Sequence, residues 1–122
     1  MDFRNFIEVE DYYHQITSGE VEGKPFKISV GKAYDFGKSN PKYLRNLPIS
    51  LIKHDLSWWQ GDEERMKNAD TSYPLLVFRM PDGKLTVADG LNRMKKVIDI
   101  EKKNFIKAYI IPFNELPKEV FV

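Results

Sequence analysis

The residue types best suited to chemistry stand in the run Asp89-Gly90-Leu91-Asn92-Arg93. A predicted strand ends here, an acidic residue and a glycine turn the chain, and a helix begins. The first N–H groups of a helix lack intrahelical partners and carry partial positive charge, so this turn can bind an anion such as phosphate. Gly90 lets a ligand approach the backbone closely, and Arg93 can hold phosphate oxygens by two hydrogen bonds. A structural interpretation also stays open, with Asp89 as N-cap, Gly90 as turn residue and Arg93 solvated.

A group of lysines on and after the predicted helix adds positive charge to this region. They are Lys95, Lys96, Lys102, Lys103 and Lys107. With Arg93 they can attract the phosphates of a nucleotide or a nucleic acid. Lys96 is our further candidate for phosphate binding. Surface lysines also occur without any function, so that alternative stays open.

Trp58 and Trp59 are adjacent in a predicted loop beside acidic residues. Neighbouring positions cannot both face the core from a regular strand, so at least one indole is expected at the surface. An exposed tryptophan can stack on a nucleobase or anchor a partner protein. In the alternative interpretation both side chains cover the edge of the sheet as part of the core.

Two histidines, His14 and His54, are the only ones in the sequence. Their separation does not match metal-ligand spacing, and each is expected to be an ordinary, partly exposed side chain. His54 carries more interest, because His54-Asp55 follows a predicted strand and can face the turn at Asp89. Mg²⁺ held by carboxylates and substrate phosphates stays open at this level.

Hydrophobic periodicity in the second half predicts the elements that position these groups. Strands over 75–79 and 85–88 are joined as a hairpin by the turn Pro81-Asp82-Gly83. A helix over 91–100 and a strand over 105–111 follow. The apolar face of that helix carries Leu91, Met94, Val97 and Ile98.

The first half gives weaker signals. They predict an amphipathic helix over 3–16, a loop over 18–25 and a strand over 26–30. The chain over 31–41 is predicted to be rich in turns, with a short helix from Asn40 through Leu44. A strand over 47–52 and a helix over 62–69 follow. Asp62 or Gly61 is expected to cap the last of these helices, and a short helix is expected in the tail. Intermixed strands and helices predict a compact α+β domain with a small mixed β-sheet flanked by helices.

Composition narrows the classes of function. The 122 residues are 42% hydrophobic and 30% charged, as in one globular domain. The absence of cysteine excludes disulfides, thiolate metal sites and a cysteine nucleophile, and it fits a reducing, cytoplasmic compartment. A formal net charge of +1 argues against wrapping of duplex DNA. We expect no signal peptide and no membrane span, because the apolar runs are too short.

Several ordered segments resemble the ParB/sulfiredoxin-like superfamily. Asp89-Gly90-Leu91-Asn92-Arg93 resembles its Asp-Gly-x-His-Arg motif. Leu47-Pro48-Ile49-Ser50-Leu51-Ile52 resembles the opening strand of ParB N-terminal domains, and Tyr73-Pro74-Leu75-Leu76-Val77 resembles a later strand. The hairpin over 82–88 and the strand Ala108-Tyr109-Ile110-Ile111 are similar to the segments before and after the motif helix. The resemblance implies an N-terminal extension over 1–46 and a ParB/sulfiredoxin-like core over 47–122.

What the resemblance implies is a nucleotide-handling fold. Members of the superfamily bind CTP, use ATP, phosphorylate free serine with ADP, or are phage or plasmid proteins labelled as nucleases. Carried over to this sequence, phosphate binding falls to Gly90, Asn92 and Arg93, and Asp89 positions the turn or a metal. Asn92 departs from the motif, which has histidine there. Asparagine forms hydrogen bonds but cannot take up a proton as a general base.

Catalysis in this fold would need a base from the acidic residues before the motif. These are Asp55, Asp62, Glu63, Glu64 and Asp70. The serine kinases of the superfamily use a carboxylate from a comparable region, which makes Glu63 or Glu64 the candidate base alongside Asp89. Alternatively, Glu63 and Glu64 are a solvated first turn that compensates a helix dipole. Sulfiredoxin activity is excluded, because the catalytic cysteine is missing.

Two functions from different classes are thus predicted. The first is a small ParB-like domain that binds a nucleotide, with Mg²⁺, or another phosphate-bearing ligand at Asp89–Arg93, with phosphotransfer or nuclease activity as an extension. The second is a non-catalytic phage or mobile-element module that binds a host protein or nucleic acid. Asn92 and the tryptophan pair favour the second.

Overall fold

A four-stranded mixed β-sheet with strand order β3-β6-β4-β5 forms the centre of the molecule. The computed structural model describes residues 15–59 and 61–122. The strands there are β1 Ile16–Val21, β2 Lys24–Ser29, β3 Leu44–Pro48, β4 Leu75–Arg79, β5 Leu85–Asp89 and β6 Phe105–Pro112. The α-helices in the same part of the chain are α1 Val30–Ser39, α2 Glu63–Asn68 and α3 Leu91–Asp99. The predicted mixed α+β class is confirmed.

β4 is the strand around which the sheet is built. It pairs with β6 in parallel and with β5 antiparallel, while β3 pairs antiparallel with β6. Its residues Leu75, Leu76, Val77 and Phe78 are all buried. A strand with apolar side chains on both sides is typical of a sheet covered on both faces.

Each face of the sheet has its own hydrophobic core. On one face α1, β2 and the C-terminal segment pack against Leu76 and Phe78 of β4. On the other face α3 and the 3-10 helices Ile49–Leu51 and Lys53–Trp58 lie against Leu75 and Val77. Because successive strand residues point to opposite faces, β4 contributes side chains to both cores, as β6 does. The result is a layered domain in which α1 and α3 lie on opposite sides of one sheet.

The second half of the chain follows the sequence predictions closely. β4 and β5 form the predicted hairpin, and α3 begins at the predicted Leu91. Met94 and Val97 are buried, with Leu91 and Ile98 packed against the same core. The periodicity of this helix is a strong signal because its apolar stripe faces only the sheet.

The predicted loop over 18–25 is wrong. It is mostly the hairpin of β1 and β2, which pair antiparallel, and only Glu22 and Gly23 form the turn, with φ of 52° and 79°. Gly19 belongs to a strand, where it lies against the ring of Phe26. Glycine in this sequence therefore marks a close contact as well as a turn.

The predicted turn-rich stretch over 31–41 is also wrong, because α1 occupies most of it. The Ser29 hydroxyl caps this helix by accepting a hydrogen bond from the Lys32 N–H at 3.4 Å. Gly31 and Gly37 are both buried within the helix. The short helix predicted after Asn40 is present as the 3-10 helix Pro41–Tyr43.

The predicted strand over 47–52 is displaced. β3 runs over Leu44–Pro48, and a 3-10 helix follows over Ile49–Leu51. The Ile49 N–H donates to the Asn104 carbonyl at 2.9 Å, beyond the last β3–β6 pair. The predicted helix over 3–16 lies outside the described residues except for its last two, where Ile16 begins β1.

The remaining predictions for helices are confirmed. Asp62 caps α2, because its Oδ1 accepts from the Glu64 N–H at 2.7 Å. The tail carries the 3-10 helices Phe113–Glu115 and Lys118–Val120. In the part of the chain that the structure describes, no helix has both the length and the apolar character needed to cross a bilayer.

We expect the substitution Gly37→Ala to destabilise the protein even though alanine is the better helix former. A Cβ at this position would lie 2.9 Å from Cγ and Cδ1 of Tyr109 on β6. Overpacking of this kind costs about 1–2 kcal/mol after the gain in helix propensity. Urea denaturation of the variant beside Lys38→Ala, an exposed change in the same helix, measures the effect. Equal or greater stability for Gly37→Ala would show that α1 does not pack this closely on β6.

Candidate functional site

The candidate site is the turn that joins β5 to α3. Gly90 is the N-cap of α3, with φ of 108° and ψ of 20°, and no side chain of the described residues caps the helix. The interpretation of Asp89 as N-cap is wrong, because its carboxylate is held elsewhere. A Cβ on Gly90 would lie 2.5 Å from Cδ2 of Leu75. Glycine is required here for both its conformation and its small size.

Asp89 and Arg93 form a partly buried ion pair one helical turn apart. Nη2 of Arg93 donates to Oδ2 of Asp89 at 2.8 Å, and the two side chains are 14% and 13% exposed. The same Nη2 donates to the Tyr34 hydroxyl at 2.8 Å, and Nη1 donates to the Pro74 carbonyl at 2.9 Å. The Tyr34 hydroxyl in turn donates to Oδ2 of Asp89 at 2.9 Å. The prediction of a solvated Arg93 is wrong.

This network joins the two faces of the sheet. Tyr34 belongs to α1 and Arg93 to α3, and they meet where β4 begins and β5 ends. Burial raises the pKa of the Tyr34 hydroxyl far above its usual value, with the Arg93 charge opposing that rise and Asp89 adding to it. Tyr34 therefore stays neutral and can donate to the carboxylate. At least three of the five guanidinium donors are engaged within the protein, which gives Arg93 a positioning role.

Asn92 and Trp59 lie together beside the first turn of α3. Nε1 of Trp59 donates to Oδ1 of Asn92 at 2.6 Å. Nζ of Lys95 lies 4.9 Å from the centre of a Trp59 ring, within the range of a cation–π contact. A Cβ on Gly61 would lie 2.3 Å from Oδ1 of Asn92, so the loop passes very close to the helix. The indole is thus held against the helix that carries the motif, half-buried.

The first turn of α3 offers main-chain donors. The first hydrogen bond within the helix runs from the Met94 N–H to the Gly90 carbonyl at 2.9 Å. The N–H groups of Leu91, Asn92 and Arg93 precede it and have no partner inside the helix. Together with the helix dipole they favour an anion. The Asn92 side chain, with its amide N–H groups, stands at the same place.

The predicted catalytic carboxylates Glu63 and Glu64 lie on α2, which packs against α3. Both are exposed in the first turn of their helix. Among the described contacts, none joins either glutamate to Asp89 or Arg93. The structure brings Asp89 and Arg93 together but does not bring these glutamates to them, and a catalytic role for Glu63 or Glu64 stays a prediction.

Lys96 also links α3 to the segment after α2. Its Nζ donates to the Ala69 carbonyl at 2.8 Å. The neighbouring Asp70 accepts hydrogen bonds from the Ser72 hydroxyl and N–H, which lower the pKa of its carboxyl, with smaller contributions from the Lys96 and Arg93 charges. Lys96 is therefore committed to a structural contact, and its binding of phosphate stays a prediction.

Two members of the lysine group form ion pairs with nearby carboxylates. Lys95 pairs with Asp99 at 2.6 Å, and Lys103 pairs with Glu101 at 3.4 Å. These pairs reduce the net positive charge of the surface.

Nowhere in residues 15–59 and 61–122 do three or more histidine, aspartate or glutamate side chains form a group suited to a metal ion. The side chain of Trp58, like His14, lies outside what the structure describes.

A groove at the other end of β5 was not predicted from the sequence. It has a volume of about 580 Å³ and is lined by Leu51, His54, Arg79, Gly83, Lys84 and Leu85. His54 does not lie at the Asp89 turn but in this groove, where its Nε2 is 3.3 Å from Oδ1 of Asp55. Oδ2 of Asp55 accepts from the Val87 N–H at 2.8 Å, which fixes the carboxylate on β5. The sequence signal was only the pair His54-Asp55.

Comparison of the chain with protein-family models, with curated proteins and with solved structures found no match. The resemblance to the ParB/sulfiredoxin-like superfamily therefore rests on the sequence segments alone and stays a prediction.

Proposed function

We propose that this domain binds a nucleotide, or another ligand with a terminal phosphate, at the first turn of α3. The observation that carries the proposal is the start of the helix after Gly90, which no described side chain caps, next to the Trp59 indole. The N–H groups of Leu91 and Asn92 and the helix dipole supply phosphate binding. Trp59 supplies a surface on which a base can stack. This is the ligand class that the ParB-like resemblance implies.

In this proposal some residues position the turn and others contact the ligand. The Asp89–Arg93–Tyr34 network holds the turn in place, while the main chain of α3 and the Asn92 amide contact the ligand. Since at least three donors of Arg93 already bind protein groups, Arg93 contributes mainly through position and long-range positive charge. Mg²⁺, when present, is carried in by the phosphates and completes its shell with water.

Binding without turnover is the form of the proposal that the residues favour. Asn92 cannot act as a general base, and the exposed Glu63 and Glu64 have no described contact with the turn. Phosphotransfer or nuclease activity is an extension that phosphate-release and nucleic-acid cleavage assays decide. A purely non-catalytic module that binds a host protein is the alternative, favoured if no nucleotide binds.

The test is calorimetric titration with ATP, ADP, CTP and GTP, with and without Mg²⁺, comparing the wild type with Asn92→Asp. The aspartate keeps the acceptor for Trp59 Nε1 but puts a negative charge at the helix start. We expect at least one nucleotide to bind the wild type and the variant to bind it roughly tenfold or more weakly, since the two anions repel each other. The same variant should unfold with unchanged or slightly higher free energy, because the carboxylate suits the helix dipole.

The matched control is Asn114→Asp, which makes the same charge change at an exposed position in the Phe113–Glu115 helix. It should bind like the wild type. Failure of every nucleotide to bind the wild type removes the nucleotide proposal. Equal binding by Asn92→Asp and the wild type would place the ligand away from α3.

A further inference from the structure

The groove at the outer edge of β5 has features that the proposed function does not use. It lies at the end of β5 opposite to Asp89 and is bounded by the 3-10 segments on one side and the β4–β5 turn on the other. We propose that this groove binds an extended peptide segment in which acidic side chains alternate with apolar ones. The proposal is independent of nucleotide binding at α3.

The floor of the groove is apolar. Leu51 lines it with 54% of its surface exposed, and Leu85 lies beside it, half-buried. A large aliphatic side chain that stays half in water contributes little to the core. In contact with an apolar side chain of a ligand it would be removed from water, which favours association.

The rim of the groove carries positive charge. Arg79 and Lys84 line it, and neither forms an ion pair with any described residue, whereas Arg93, Lys95 and Lys103 elsewhere are all paired. Asp55 and Asp82 are not among the lining residues, and each is held by a main-chain N–H, that of Val87 and that of Lys84. Carboxylates of a ligand would complement this rim.

The edge of β5 offers main-chain hydrogen bonds. The Val87 N–H points away from β4, because it donates to Asp55. Directions repeat every second residue on a strand, so the N–H and C=O of Leu85 point to the same outer side. Among the strands that the structure describes, β5 stands at the edge of the sheet and has β4 as its one neighbour. An extended peptide beside Leu85 can therefore pair with the strand while its side chains reach the floor and rim.

A nucleic acid fits this groove less well than a peptide. Single-stranded nucleic acids are held largely by stacking of bases on aromatic rings. The described residues that line the groove include no phenylalanine, tyrosine or tryptophan. The aliphatic floor and the two outward-facing groups of Leu85 suit a polypeptide.

The probe is a blocked heptapeptide of alternating Glu and Leu with Glu at both ends, titrated into the ¹⁵N-labelled full chain and followed by two-dimensional NMR. We expect the amide signals of Gly83, Lys84 and Leu85 to shift, and the binding to weaken as salt is raised. The double variant Arg79→Glu/Lys84→Glu should bind about tenfold more weakly, because two charge contacts become repulsive. Leu51→Ser should bind a few times more weakly, since apolar burial is lost.

The charge-matched control is Lys24→Glu/Lys27→Glu, at two exposed positions of β2, which should bind like the wild type. The same peptide with Lys in place of Glu should not bind. Three results would each overturn the proposal: no shift at any of the three amides, equal shifts with the lysine peptide, or equal affinity after the Arg79 and Lys84 reversal. An oligothymidylate that shifts these amides when the Glu peptide does not would assign the groove to nucleic acid instead.

Discussion

Replacing Arg93 with methionine should lower the free energy of unfolding by about 2–4 kcal/mol, a large effect for one polar side chain. The loss leaves the Asp89 carboxylate, 13% exposed, without its ion-pair partner. It also removes the shorter of the two hydrogen bonds to the Pro74 carbonyl, which keeps only the Tyr34 hydroxyl at 3.3 Å, and it removes the contact to Tyr34. Removing one partner of such a partly buried pair is costly because the remaining charge is poorly solvated and no longer neutralised. Urea denaturation followed by tryptophan fluorescence measures the change.

The chain supplies a matched control on the same helix. Lys95 and Asp99 have the same spacing as Asp89 and Arg93, but Asp99 is 44% exposed. Lys95→Met should therefore cost at most about 1 kcal/mol, with the loss of the contact to the Trp59 ring included. Tyr34→Phe keeps the ion pair and should cost about 1 kcal/mol. If Arg93→Met were no more damaging than Lys95→Met, the network would not be what joins α1 to α3.

Gly90→Ala should lower the free energy of unfolding by about 2–4 kcal/mol as well. Two terms add: alanine is strained at a φ of 108°, and its Cβ would meet Leu75 Cδ2 at 2.5 Å and Arg93 Nη2 at 3.0 Å. Leu75 is fully buried on β4 and has little room to move. The same contacts would displace the guanidinium, so the variant should also lose part of the Asp89–Arg93 pairing.

Gly83→Ala separates the two terms. Gly83 has a φ of 86°, and a Cβ there would meet nothing within 4 Å. This variant carries the conformational cost alone, about 1 kcal/mol. Thermal or urea unfolding of the two variants side by side gives the steric contribution at Gly90 by difference. Equal losses for the two would mean that the packing at the turn is looser than the structure indicates.

The second half of the fold could be predicted because its signals are local. The apolar stripe of α3 and the Pro81-Asp82-Gly83 turn each specify their element within a few residues of chain. In the first half glycine misled the prediction. Gly31 and Gly37 lie inside α1, where small residues allow close packing. Only the tertiary contact with Tyr109 explains Gly37, and no local pattern reports it.

The candidate site could be predicted in position but not in detail. The Asp89-Gly90-Leu91-Asn92-Arg93 run does form a strand, a turn and a helix start. The contact between Arg93 and Tyr34 could not be foreseen, because Tyr34 is distant in sequence and lies in a stretch that the sequence predicts to be turn-rich. Likewise, the contact between Trp59 and Asn92 depends on where a loop crosses α3. Side chains that meet across layers of a domain leave no periodic trace in the sequence.

The strand order of the sheet has a consequence for how the domain assembles. β4, β5, α3 and β6 are consecutive along the chain and already contain three neighbouring strands of the order β3-β6-β4-β5. The contacts among β4, β5 and β6 close shorter loops. The pairing of β3 with β6 closes a longer loop, which contains β4, β5 and α3, and its loop-closure entropy cost is larger. The nucleus of folding is thus expected in the stretch that also carries the Asp89–Arg93 turn. The hydrogen bond between Tyr34 and Arg93 would form last, when α1 packs against a sheet that is already formed.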